Sequence, residues 1–239
     1  MIRIICLPFA GGTTAMYNEL EQIVPEEYHF DKIEYAGHGS RRREPYYISF
    51  QEMVEDVAKQ INSQIKQDDE IVLFGYSMGS IVAYELMAQN LLNIYPKGAL
   101  FASHESPGDC WESMSYHELP ENLFFEKIKK MGGFPKCDLE LMENKFFYKL
   151  HFLPVYMDYK LIGDYKISRM IQLDIPSVFL YSKNDILPDR AQHWMDILGP
   201  KGKIIEMGDN HFFINEHALG ISNVLREIVE RIDRQEKYV

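Results

Sequence analysis

Apolar positions fall into two alternating patterns along the chain. Short, nearly continuous apolar runs occupy Ile2–Leu7, His29–Tyr35, Glu70–Phe74, Gly98–Ala102, Ser177–Tyr181 and Lys203–Met207. Runs of this length, bounded by Gly, Pro or Asp, predict parallel strands covered on both faces. Between them lie longer stretches with helical spacing: Ala15–Ile23, Ser49–Ile65, Ser77–Asn90, Arg190–Leu198 and Ala218–Gln235. Strand–helix alternation of this kind predicts an α/β fold with a mostly parallel, doubly wound sheet.

One stretch breaks the rhythm. From about Cys110 to Met170 the sequence is helical and aromatic-rich, over Leu123–Met131, Leu139–Phe152 and Pro154–Ile162. Such an excursion exceeds ordinary α/β connections. It predicts a helical lid inserted at about 110–170, because insertions at the carboxyl ends of such strands sit over the ligand crevice. The competing reading is a helical subdomain that only adds core. The aromatics Phe146, Phe147, Tyr148, Phe152, Tyr156 and Tyr159 read first as core, with some lining a channel under the lid. Residues 1–239 are expected to form one domain.

Composition narrows the class. With 239 residues and 46% hydrophobic content, the chain can bury one large core. A formal charge of −11 argues against nucleic acid or an anionic membrane as the main partner. Cys6, Cys110 and Cys137 are far apart and odd in number, which reads as reduced cytosolic thiols with no disulfide and no zinc site. The apolar start is cut off by Pro8, Gly11 and Gly12, too early for a signal peptide. A cytoplasmic enzyme of small substrates is expected.

The chemistry is concentrated in Gly75-Tyr76-Ser77-Met78-Gly79, a match to G-x-S-x-G. Ile71–Phe74 before it reads as a strand, and Ser80–Met87 after it as a helix. A strand entering a helix through a tight turn lifts one side chain clear of the sheet. Ser77 is then a nucleophile at the positive end of a helix dipole. In this arrangement an acid and then a histidine follow along the chain. His211 and His217 are the late histidines; His211, in the loop after Lys203–Met207, is the base, and His217 reads as a surface residue. Asp185, at the apex of the loop after Ser177–Tyr181, is the acid. Asp189 reads as a helix cap, Asp174 lies at the wrong end of its strand, and Asp209 reads as a turn residue. Two backbone N–H groups should meet the oxyanion: Met78, and Ala10 or Phe9 in the loop Leu7–Thr13, with Ala10 favoured. That loop lacks the spacing of a nucleotide phosphate loop.

Together these residues resemble the type II thioesterases that accompany non-ribosomal peptide synthetases and polyketide synthases. The likeness rests on Leu7-Pro8-Phe9-Ala10-Gly11-Gly12, Tyr35–Arg41 with Glu44-Pro45, Phe74–Gly79, Leu119-Pro120, Met131–Pro135, Leu153-Pro154, Asp158-Tyr159 and His211-Phe212-Phe213. It implies an α/β-hydrolase fold and hydrolysis of acyl thioesters on the phosphopantetheine arm of carrier domains, with Ser77, Asp185 and His211 as the triad. No metal or redox cofactor is needed. Two departures stand out: Tyr76 replaces the His common before the serine, and Ser103–Pro107 is unusually charged.

The other readings are a general carboxylesterase, an acyltransferase, or a hydrolase fold serving as a receptor or scaffold. Arg41-Arg42-Arg43 reads first as a solvated loop, and otherwise as a contact for a phosphate or an acidic carrier. Lys127, Lys129 and Lys130 read as the wet face of a lid helix. A monomer is expected.

Overall fold

The computed structural model describes residues 1–109, 112–134, 137 and 139–236. Cys110 and Pro135, singled out above, lie outside them. Six strands, β1 (Ile2–Leu7), β2 (His29–Lys32), β3 (Glu70–Tyr76), β4 (Gly98–Ala102), β5 (Ser177–Tyr181) and β6 (Gly202–Glu206), form one sheet in the order β2-β1-β3-β4-β5-β6. Every pairing is parallel.

The alternation of side chains explains the layering. Ile5, Leu7, Ile71, Leu73, Ala99, Phe101 and Phe179 feed a core on one face. Ile4, Cys6, Val72, Phe74, Leu100 and Val178 feed a second core on the other. Central strands must therefore be apolar throughout, which is why β1, β4 and β5 have the bounds the pattern predicts. The other three strands differ, β6 running over Gly202–Glu206 instead of Lys203–Met207. β2 stops at Lys32 instead of Tyr35: the Ile33 amide makes a last bond to the Cys6 carbonyl of β1 (3.0 Å), and beyond it the Tyr35 hydroxyl bonds the Pro8 carbonyl (3.1 Å). β3 runs two residues further than predicted, since Gly75 and Tyr76 continue the ladder opposite Phe101 and Ala102.

The helices are α1 (Asn18–Glu21), α2 (Phe50–Gln64), α3 (Met78–Ala88), α4 (Glu121–Lys130), α5 (Lys145–Phe147), α6 (Leu153–Gly163), α7 (Pro188–Gln192), α8 (Met195–Leu198) and α9 (Ala218–Glu236). Buried residues of α2, α3, α4 and α6 join the first core; those of α1 and α9 join the second. Three predicted helices come out broken. Ala15–Ile23 is a 3₁₀ turn at Thr14–Tyr17 followed by α1. Leu139–Phe152 is a 3₁₀ turn, α5 and a π turn at Tyr148–Phe152, divided where the Asn144 side chain accepts from Phe146 and Phe147 N–H. Arg190–Leu198 splits into α7 and α8. Between them Trp194 turns inward, stacks on Phe179 and donates its indole N–H to the His104 carbonyl (2.7 Å). Helix α7 begins at Pro188, with Leu187 at its cap and Asp189 inside the first turn. Asp189 is therefore not the cap expected of it. No helix among the described residues is long and apolar enough to cross a membrane.

Candidate active site

The turn between β3 and α3 is held in a conformation few residues tolerate. Ser77 has φ +51°, in the left-handed region that normally favours glycine. Its amide donates to the Ala102 carbonyl on β4 (2.7 Å). Ser80 fixes the far side: its hydroxyl lies 2.9 Å from both the Gly75 and Ala102 carbonyls and accepts from the Ala102 N–H (3.0 Å). A Cβ at Gly75 would overlap the Gly79 carbonyl, and one at Gly79 would lie 2.6 Å from the Leu7 carbonyl carbon. Both glycines are thus required by backbone packing. The whole of α3 is buried, consistent with its apolar sequence on every side.

Three sequence-predicted residues meet above this turn. His211 Nε2 lies 3.0 Å from Ser77 Oγ, and His211 Nδ1 lies 2.8 Å from Asp185 Oδ2. A carboxylate only accepts, so Nδ1 carries the proton and Nε2 is left to accept from the serine hydroxyl. Ser77 and His211 are both nearly buried. The loops that present the acid and the base are tied together. Asn184 Nδ2 donates to the Asp209 carbonyl (3.0 Å). The His211 carbonyl accepts from Tyr76 Oη (2.7 Å) and from Ser103 Oγ (3.0 Å). Tyr76, one of the departures noted above, and Ser103, the first residue of the charged stretch, thus fix the histidine's main chain.

His217 precedes α9 and lies against Phe213. Asp174 is 91% exposed beside Lys201. Neither is brought to the site. Met78 is the first residue of α3, where an amide has no partner inside its own helix. Ala10 and Gly11 occupy the corners of a turn closed by Gly12 N–H donating to the Phe9 carbonyl (2.8 Å). Gly11 at φ +75° makes this a turn that glycine suits. The Phe9 ring packs edge-on against Phe212 at 5.1 Å, beside the histidine.

A cavity of about 390 Å³ opens on Ser77, His211 and Asp185. Its other walls include Glu105, Arg190, Tyr116, Met131 and Tyr159. Glu105 and Arg190 pair across the wall at 3.0 Å. Of this wall, the charge of Ser103–Pro107 and a channel role for some lid aromatics are legible in the sequence; Arg190, Tyr116 and Met131 are not. His104 is buried beside the site, and burial pushes its imidazole down to about 4. Its Nδ1 faces the Glu105 carbonyl (2.9 Å). It is neutral at neutral pH and does not compete for the role of base.

The basic run 41–43 divides. Arg41 is bound by Glu44 (2.6 Å), Asp56 (2.7 Å) and the Glu34 carbonyl (3.0 Å). It is a structural clamp, leaving Arg42 and Arg43 exposed. Lys127 lies over the Tyr116 ring at 4.9 Å, so it is not wholly on a wet face. Cys6 and Cys137 are free thiols. No group of three or more His, Cys, Asp or Glu among the described residues could hold a metal.

A parallel sheet with a strained serine turn, a histidine loop and an acid loop at its carboxyl ends defines an α/β-hydrolase fold. The chain belongs to the thioesterase domain family, whose pattern it matches over residues 2–235, and it is a thioester hydrolase. It is similar to the gramicidin S biosynthesis protein GrsT of Aneurinibacillus migulanus, 24% identical over 220 residues, covering 90% of this chain and 84% of that protein. It is also similar to the human medium-chain S-acyl fatty acid synthase thioesterase, 26% identical, covering 90% of this chain and 82% of that one. Among solved structures, ClbQ from the colibactin NRPS/PKS pathway superposes with a TM-score of 0.85 at 25% identity, covering 97% of this chain and 98% of that one.

Proposed function

We propose that this enzyme removes acyl groups from the phosphopantetheine arm of carrier domains in a non-ribosomal peptide or polyketide system, through an acyl-Ser77 intermediate. The observation that carries the reading is the hydrogen-bonded line Ser77–His211–Asp185 at the floor of a cavity, in a chain of the thioesterase family. The biosynthetic systems named for GrsT and ClbQ support the choice of substrate.

His211 Nε2 takes the Ser77 proton as Oγ attacks the thioester carbonyl. Negative charge gathers on the carbonyl oxygen, held by the N–H groups of Met78 and Ala10. The C–S bond breaks, and the thiolate leaves with the proton from His211. A water molecule then enters. His211 takes its proton, the hydroxide attacks the acyl-serine, and the free acid departs as Ser77 is reprotonated. Asp185 holds the imidazole tautomer and stabilises the imidazolium. The inserted helices act as a lid, bringing Tyr116, Met131 and Tyr159 over the acyl group. The enzyme works as a cytoplasmic monomer.

The test compares an acylated carrier domain with an oxygen ester of the same acyl group. Free acid and free carrier are read by mass spectrometry. The expected result is a higher kcat/KM on the carrier thioester, and labelling by a fluorophosphonate probe that Ser77→Ala abolishes. Turnover by Ser77→Ala, or preference for the oxygen ester, would overturn the proposal.

A further inference from the structure

Outside the triad, one histidine–carboxylate pair is almost completely removed from water. His38 and Asp158 are 1% and 2% exposed, and His38 Nε2 lies 3.0 Å from Asp158 Oδ2. They come from segments distant in sequence: the loop after β2 and the middle of α6. An ion pair this deep costs much to desolvate and is weak evidence of stabilisation on its own. Its surroundings suggest a different purpose.

Asp158 Oδ2 also accepts the backbone N–H of Gly11 at 2.7 Å. Gly11 follows Ala10, so the carboxylate grips the loop that supplies the second oxyanion donor. The same helix presses on this loop a second time, because a Cβ at Gly11 would run into Val155, one turn before Asp158. The next residue, Tyr159, lines the cavity over Ser77. Helix α6 therefore touches the oxyanion loop with Val155 and Asp158 and the reaction chamber with Tyr159.

His38 closes the arrangement from the other side. Its Nδ1 lies 3.0 Å from the Ala36 carbonyl, which can only accept. A carboxylate 3.0 Å from the other nitrogen favours the doubly protonated ring. The Nε2 contact is oblique, with no aligned hydrogen bond, so the attraction is chiefly ionic. Burial is the largest influence and disfavours that charge, but Asp158, the Ala36 carbonyl and Glu34 together outweigh it and the pKa of His38 is raised. Glu34 secures the far end of the same loop, accepting from Thr14 N–H (3.1 Å) and Ser40 N–H (3.2 Å).

We propose that Asp158 and His38 are positioning residues whose buried pair fixes the Gly11 turn and docks α6 upon it, so that covering the cavity and completing the oxyanion hole are a single event. Neither side chain touches the reacting atoms. Asp158 acts through the Gly11 amide on the Ala10 N–H, and His38 acts through Asp158. The inference rests on the proposed reading of Ser77 and of the Ala10 loop.

The experiment measures kcat and KM on an acylated carrier domain for Asp158→Ala, Asp158→Asn, His38→Ala and the double alanine variant. Each rate is divided by the concentration of sites that react with a fluorophosphonate probe, so unfolded protein does not count. Displacing a loop by about 1 Å can cost about a hundredfold in rate. The expected result is a fall of about tenfold to a hundredfold in kcat for Asp158→Ala, larger than any change in KM. Asp158→Asn should recover part of it, since its amide oxygen still accepts from Gly11. The double variant should lose no more than the worse single one, as members of one unit do. Wild-type kcat per labelled site in both Asp158 variants, or losses that multiply in the double variant, would overturn the latch. Ser77→Ala separates the two failures: if it still turns over, the underlying reading falls; if it is dead while the Asp158 variants are normal, only the latch falls.

Discussion

Gly79→Ala is the sharpest probe of how the oxyanion loop meets the nucleophile turn. An added Cβ would lie 2.6 Å from the Leu7 carbonyl carbon and 2.8 Å from the Pro8 carbonyl oxygen, against an ordinary 3.4–4 Å. The obstacle is backbone, so no side chain can swing aside. Either the loop after β1 or the first turn of α3 must retreat by about 1 Å, and the two proposed donors, Ala10 and Met78, sit on opposite sides of that gap. Removing a single such donor typically costs about 2.7–4 kcal/mol in the transition state, and a displacement of about 1 Å can cost about a hundredfold. The fold suffers less. Alanine is favoured over glycine inside a helix by about 1 kcal/mol, which offsets part of an overpacking cost of about 1–3 kcal/mol. The expected outcome is a folded protein, less stable by no more than about 2 kcal/mol, with kcat down about a hundredfold. Urea unfolding gives the first figure, and turnover of an acylated carrier per active site gives the second. A variant with near-normal kcat would refute the placement of the hole. So would a rate loss accounted for by unfolded protein alone.

Two further outcomes follow from the loops around the histidine. Tyr76→Phe removes one of two donors to the His211 carbonyl; it should lower unfolding free energy by about 1 kcal/mol with turnover near wild type. Adding Ser103→Ala should then lower kcat, and an equal loss from the single variant would show that Ser103 provides no backup. The second concerns acid. His104 is held down at about 4 by burial, whereas an unfolded imidazole takes its proton near 6.5. As pH falls from 6.5 towards 4 the unfolded state binds a proton that the folded state refuses. Stability present above 6.5 is therefore lost, by about 3 kcal/mol at most. His38 runs the other way: its raised pKa adds stability below 6.5 that fades as pH rises through that raised value. His104→Gln should flatten the decline in urea midpoint between pH 6.5 and 4, and an unchanged slope would sink the assignment.

What could be read from the sequence followed from local rules. β1, β4 and β5 were legible to the residue because a strand buried on both faces must be apolar throughout. The meeting of Ser77, Asp185 and His211 was legible because the fold sets their order and their distance from a strand end. Pairings between distant segments leave no period. Nothing in Gly37-His38-Gly39 reveals a carboxylate on a helix 120 positions away, and nothing in Asp158-Tyr159 reveals the Gly11 amide. The same blindness placed Arg41 in solvent, since Asp56 sits in the second turn of α2 and cannot be matched to it by spacing. Two of the broken helices failed because a residue that fits a helical pattern has a better partner: Trp194 finds the distant His104 carbonyl, and Asn144 caps the turn that follows it.

These unseen pairings concentrate on one loop. The Leu7 carbonyl accepts from Tyr17 Oη (2.6 Å) and the Pro8 carbonyl from Tyr35 Oη (3.1 Å). Gly11 is held by Asp158 and Thr14 by Glu34. Four side chains from three segments thus hold the main chain between Leu7 and Thr14, beside Ser77. A thioester already carries a good leaving group, so its hydrolysis asks less of acid catalysis than of a correctly placed pair of amides. Preorganised dipoles stabilise developing charge only if they need not move when it appears. Holding the loop with buried groups achieves that. It also means that substitutions at Tyr17, Tyr35 or Glu34, remote from the chemistry, should lower kcat before they raise KM.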